Sequence, residues 1–261
     1  MALINFRLNK VEDTTPSGID GDVTNWFSLT DGELWLKFDD LSIYEYTKQS
    51  HPFFPYRDRK QFSAYYIARF VEDFTEIISA ISEPLPDFLH DCVADYNSLS
   101  AYQSWATSFL EKHYLKKKYV ENDLEVLLSW IYKRALPSHH LLGGPTIWFF
   151  RIKDQMKIIW RADYKIAPDC YLWTQPLGEY VMDYDLFARE VQCFGRRFFW
   201  QMENRLNAFI AREHDSPALD ISSARMLNIE RQQMFENDVL QLFQSSSMIT
   251  NWDVVHRRYK L

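Results

Sequence analysis

Seven histidines and three cysteines are the side chains best suited to nucleophilic or metal chemistry in this 261-residue chain, and their spacing speaks against both. His51, His90, His113, His214 and His256 are scattered singly, while His139 and His140 are adjacent in a loop before Gly143-Gly144. Metal ligands on one helix face need a spacing of three or four. An adjacent pair with no nearby acid does not close round one ion, so a solvent-exposed turn is expected there. Cys92, Cys170 and Cys193 are far apart and odd in number, with no CxxC among them. Free thiols in a reducing compartment follow. GxSxG, HExxH, GxxxxGK and GxGxxG runs are all missing, which leaves no catalytic residue, no metal and no cofactor to assign.

Three groups of charged residues remain. Glu72, Asp73 and Glu76 lie close together in a helical pattern. Paired carboxylates can do acid–base work, but only in a perturbed environment, and a solvated face is expected here. Arg161 and Asp163 are two apart, on one face of a strand. With Arg151 and Arg197 they offer a polar ligand site, against the plainer reading of a surface ion pair. The third group is acidic. The first 55 residues hold nine Asp or Glu against four Lys or Arg. Asp20, Asp22, Asp31, Glu33, Asp39 and Asp40, with Trp26, Trp35 and Tyr44 as aromatic anchors, make a candidate partner surface. Asp20 and Asp22 lack the remaining ligand pattern of a calcium loop.

The elements that must position these groups follow from periodicity. Residues 2–8 read as a strand. Asp31-Gly32 between apolar segments reads as a hairpin turn, Leu34 and Leu36 alternate with polar neighbours, and Asp39-Asp40 turns into a third strand over 41–46. Apolar residues from Phe62 to Ile81 recur every three or four positions, so a helix is expected from about Gln61 to Glu83-Pro84. Helices follow from Pro86 to Leu99, from Tyr102 into a basic run at Lys112–Lys118, and from Asn122 to Arg134. Thr146–Phe150 and Met156–Trp160, separated by Lys153-Asp154-Gln155, form a second meander with a short run at Cys170–Thr174. Leu177-Gly178-Glu179 reads as a turn. A long helix from Tyr184 to about Arg212 and a last one from Ser222 to Phe243 complete the chain, with a mildly basic tail whose Trp252, Val254 and Val255 can pack.

Hydrophobic residues at 47% and charged residues at 25% allow a sizeable core. A formal charge of −7 and one short basic cluster set nucleic acid aside. No signal-like leader and no apolar run of membrane-spanning length is present, so a cytoplasmic protein without a membrane partner is expected. The architecture expected is α+β: two small antiparallel meanders joined in one mixed or antiparallel sheet region, packed with five or six helices. One domain covers 1–261, with a helical C-terminal extension from about 218.

Trp26-Phe27-Ser28-Leu29-Thr30-Asp31-Gly32 resembles the Trp-Phe-Gly-Leu-Thr-Asp-Gly stretch of a bacterial family of uncharacterised proteins, with Ser28 in place of the glycine. The likeness continues at Tyr65-Tyr66, Glu72-Asp73, Pro84 and Pro86, then at Ile147-Trp148-Phe149 with Arg151, Trp160 with Asp163, and Leu172-Trp173-Thr174. It closes at Phe187, Glu190-Val191, Phe194, Phe198 and Met202. Where that family has Pro-Trp-Gly, this chain has Pro16-Ser17-Gly18. The resemblance implies a fold and no reaction. The chain also resembles the small acidic single-domain proteins encoded near bacterial toxin or defence genes, some of which are immunity proteins. The expectation is therefore a non-enzymatic binding module that neutralises a basic protein, a toxin or effector. The alternative is an enzyme or small-ligand binder using Arg151, Arg161, Asp163 and Arg197.

Overall fold

A computed structural model describes residues 2–11, 25–53, 60–114, 121–211, 220–244 and 248–259. Its framework is a largely apolar hairpin. Strands β6 (Thr146–Ile152) and β7 (Gln155–Arg161) pair in register from Thr146↔Arg161 to Ile152↔Gln155. Lys153 in the connecting turn has φ 57°, the left-handed geometry that two-residue hairpins use. β5 (Ala135–Pro137) and β10 (Leu177–Asp183) flank the pair, giving the order β10-β7-β6-β5, all antiparallel.

Both faces of this sheet are covered, so the central strands are buried almost throughout instead of alternating with polar residues. Ile147, Phe149, Ile158 and Trp160 join one apolar cluster, and Trp148, Phe150 and Ile159 join another. Side chains two apart share a face, so the sheet is the partition between two cores. The second core is closed by helices α2 (Tyr96–Tyr114), α3 (Glu121–Tyr132) and α6 (Trp252–Tyr259). The tail residues Trp252 and Val255 pack there. The larger core holds α1 (Ile67–Ser82), α4 (Tyr184–Ala211), α5 (Ile221–Val239) and a second sheet.

In that second sheet β2 (Asp31–Phe38) is central. β1 (Ile4–Leu8) runs along one edge, from Ile4↔Leu36 to Leu8↔Gly32. The other edge is shared end to end by β3 (Leu41–Ile43) and β4 (Ser63–Tyr66). The two four-stranded sheets remain separate, not joined as expected, and meet through side chains, with Phe38 stacked on Trp160 at 5.6 Å. A two-stranded ribbon, β8 (Lys165–Ala167) with β9 (Cys170–Tyr171), completes an α+β fold with six α-helices among the described residues.

Several boundaries differ from the sequence reading. Asp31-Gly32 opens the central strand and is no turn. A Cβ on Gly32 would stand 2.4 Å from the Arg7 carbonyl oxygen, so glycine serves the close approach of β1. Residues 63–66 are strand and α1 starts at Ile67. Leu177-Gly178-Glu179 belongs to β10, and β5, which directly follows the helix expected to end at Arg134, is a strand the sequence reading did not include. Pro86 leads into a 3-10 helix, Asp87–Val93, and α2 begins at Tyr96. The helix from 221 is no appendage: Ala224, Phe235 and Val239 belong to the larger core. Lys116–Lys118 lie outside the described residues. No helix among the described residues is long and apolar enough to cross a membrane.

Candidate functional site

Asp39 and Asp40 form the tip between β2 and β3, both exposed. Asp39 has φ 49°, a conformation that a short polar side chain tolerates. The hydroxyl of Tyr180, on β10, donates to Asp39 Oδ1 at 3.4 Å. Burial and the Asp39 carboxylate both raise the Tyr180 pKa. Tyr180 is positioned by its ring contact with Phe38, 4.9 Å between centroids. From the first turns of α4, Glu190 accepts the Leu3 N–H at 2.6 Å and brings a third carboxylate to the same corner. These groups, with Lys37, Met182 and Leu186, line a cavity of about 470 Å³. Three carboxylates face one lysine there, so the corner is net acidic and suited to a cationic group of a partner.

The other acidic candidates are placed differently. Asp20 and Asp22 lie outside the described residues. Asp31 is half-buried at the head of β2 and accepts from Asn9 Nδ2 at 2.7 Å. Glu33 is only 2% exposed; it pairs with Arg7 at 2.9 Å and Lys60 at 3.6 Å, and accepts the Phe62 N–H. Strands on both edges of β2 and the side chains of Arg7 and Lys60 cover it, so it presents no surface. Trp26 is also buried: its Nε1 donates to Asn228 Oδ1 at 3.1 Å, and the Arg231 guanidinium lies 4.8 Å over its ring.

The arginine set does not converge. Arg151 donates to the Ser82 carbonyl at 2.7 Å and stacks 3.9 Å over the Tyr184 ring, tying the end of α1 to the start of α4. Arg161 and Asp163 pair at 2.8 Å with both side chains substantially exposed. Arg197 donates to the Ile4 carbonyl at 2.5 Å and lies over Phe6. Each of the three arginines has its own structural contact, and neither they nor Asp163 line the corner cavity.

One perturbed group escaped the sequence reading. Asp73, expected on a solvated face, is 2% exposed inside the larger core. Its Oδ1 meets Arg69 at 2.9 Å, and its Oδ2, which has no hydrogen-bond partner, lies 3.6 Å from His140 Nδ1. His140 is not an exposed turn residue. Its ring packs against Tyr65 at 4.5 Å and Phe70 at 4.9 Å, and its Nε2 is buried without a partner. Close by, the Tyr44 and Ser138 hydroxyls share a 2.6 Å hydrogen bond. Burial pushes the Asp73 carboxyl up to about 7, against the pull of Arg69 and with repulsion from Glu76 and Glu72 adding to it. Burial, then Arg69 and His139, push His140 down to about 4. The pair lines no part of the corner cavity. The legible signal was positional: Phe70, Asp73, Phe74 and Ile77 follow the i, i+3, i+4, i+7 stripe that faces a core.

Among the described residues no group of three His, Cys, Asp or Glu side chains comes together to hold a metal, and Cys92, Cys170 and Cys193 are free. No curated protein and no solved structure matches the chain. A family model does, over residues 3–258, and the chain belongs to that family, a family of unknown function designated DUF5984.

Proposed function

We propose that this protein is a non-enzymatic binding module that holds a basic protein partner at the acidic corner formed by Asp39, Asp40 and Glu190. One observation carries the reading: three carboxylates around an open cavity with a single lysine, on a chain of formal charge −7. Leu186, which lines the cavity and is itself exposed, supplies apolar contact area. Opposite fields speed encounter, and apolar contacts then slow release. In its finer form the proposal is an immunity or regulatory role, in which the partner is a basic toxin or effector neutralised by occupation of its cationic surface.

The test is capture from lysate of the source cells at low and moderate salt, with wild-type bait and an Asp39→Asn/Asp40→Asn bait. Both residues are exposed, and Asn tolerates the left-handed turn, so the fold is spared. One stoichiometric basic protein, lost as salt rises and lost with the double variant, supports the reading. A partner retained equally by both baits, or no partner at all, overturns it.

A further inference from the structure

A second cavity, sharing no lining residue with the acidic corner, lies between α1 and α5, and its volume is about 350 Å³. That is within the ~300–1,000 Å³ typical of small-molecule sites. Its floor is apolar, built from Trp26, Leu227, Phe199 and Phe235. Its rim is acidic: Glu72 and Glu76 from α1 and Glu230 from α5, with Arg231 the one cation lining it among the described residues.

The rim carboxylates are not equivalent. Arg231 pairs with Glu72 while its guanidinium lies 4.8 Å over the Trp26 ring. Arg69 also reaches Glu72, at 3.5 Å, but its closer partner is Asp73. Glu76 and Glu230 have no ion-pair partner among the described residues, and both are exposed at the mouth. The protein's own guanidinium thus already displays the two contacts a foreign cation would use, an aromatic face and a carboxylate. Two further carboxylates stand uncompensated beside them.

We propose that this groove binds a small organic cation with an apolar body, of the alkyl- or arylammonium class. The apolar body enters the floor among Leu227, Phe199 and Phe235, and the ammonium group sits at the rim between Glu76 and Glu230. Arg231 competes with the incoming cation for the Trp26 face at the edge of that floor. Met234, 62% exposed at the mouth, is an unbranched side chain able to adjust to the ligand's shape. The site is separate from the acidic corner, and its test does not depend on the protein partner proposed there.

The experiment is calorimetric titration of the full chain with phenethylammonium and with its uncharged counterpart 2-phenylethanol. The ammonium compound is expected to bind at one site, at least about tenfold more tightly than the alcohol, a ratio that corresponds to ~1.4 kcal/mol. Glu76→Gln/Glu230→Gln removes that preference. Arg231→Gln, which takes away the internal competitor, tightens binding, a result that a purely structural arginine would not give. Asp39→Asn/Asp40→Asn leaves binding unchanged and separates this site from the acidic corner. Equal affinity for amine and alcohol, insensitivity to the double Gln variant, or no saturable binding in the millimolar range would each overturn the proposal.

Discussion

Asp73 and Glu83 are two buried acids on one helix, in the middle of α1 and at its C-cap, with 2% and 1% exposure. Their surroundings are opposite in kind. Glu83 is saturated with donors. It receives Arg134 Nη2 at 2.7 Å, Trp252 Nε1 at 3.0 Å, Thr250 Oγ1 at 2.6 Å, and the backbone N–H groups of Ile249 and Thr250 at 3.1 and 3.2 Å. Arg134 is itself fully buried, donates to the Trp130 carbonyl and lies over the Trp252 ring. The C-terminal segment is thereby fastened to the end of α1. Asp73 has Arg69 and an imidazole beyond hydrogen-bond reach, with one oxygen left without a donor. A buried carboxylate surrounded by donors is a structural pin, whereas one short of donors holds its proton toward neutral pH.

The largest expected effect comes from breaking the saturated site. Arg134→Met leaves Glu83 buried and charged without its cation, and about 3–5 kcal/mol of stability should be lost. Adding Glu83→Gln should return most of it. The charge is then gone, while the amide oxygen still accepts from the Trp252 indole and the backbone of the C-terminal segment. Urea denaturation of the two variants measures this. A loss under about 1 kcal/mol in the single variant would remove the distinction between the two acids.

Little of this pairing was legible in the chain. Pro84 marks the end of α1, and the apolar stripes of α1 and α4 predict both helices, because periodicity is a local signal. The β6–β7 hairpin is equally local. Glu83, however, draws its partners from Arg134 and from residues 249–252, and no nearby residue announces them. Gly32 was misread for the same reason. Asp-Gly favours a turn locally, but β1 on one side and β4 on the other make it the start of a central strand. The acidic corner was half visible: Asp39-Asp40 is a turn by composition, while the arrival of Tyr180 and Glu190 depends on tertiary packing.

Next in size is a contrast in sign. At pH 8 Asp73→Asn should stabilise the protein by about 1–3 kcal/mol, the order of the cost of an under-partnered buried group, while Glu83→Gln alone should destabilise it. The pH dependence follows. Asp73 holds a proton in the fold up to about 7 but loses it near 3.8 when unfolded, so its contribution falls as pH rises through that window. His140 does the reverse: its folded value of about 4 lies below the ordinary 6.5, so its contribution grows as pH rises between them. Folded and unfolded states then carry equal numbers of protons on the pair from about pH 4 to 6.5, and wild-type stability is flat on their account. His140→Gln should expose the decline and Asp73→Asn the rise, each with a limiting slope of ~1.4 kcal/mol per pH unit. Unfolding free energies measured from pH 4 to 8 decide this, and parallel curves for all three proteins would refute it.

The smallest effect belongs to an ion pair that solvent reaches. Arg161 and Asp163 meet at 2.8 Å, much as Arg134 and Glu83 do at 2.7 Å, so contact distance does not separate them. Exposure does: 52% and 38% for the first pair, 0% and 1% for the second. Water and salt screen the outer charges before and after folding alike, and holding two mobile side chains together costs entropy. Arg161→Gln should therefore change stability by at most about 1 kcal/mol, shrinking further in molar salt. The buried pair should keep most of its effect under the same conditions, because counterions do not reach it. Denaturation of Arg161→Gln and Arg134→Met at low and high salt tests that difference. A salt-independent loss of several kcal/mol in Arg161→Gln would mean that Asp163 is held away from solvent, and would restore the Arg161–Asp163 pair as a candidate ligand contact.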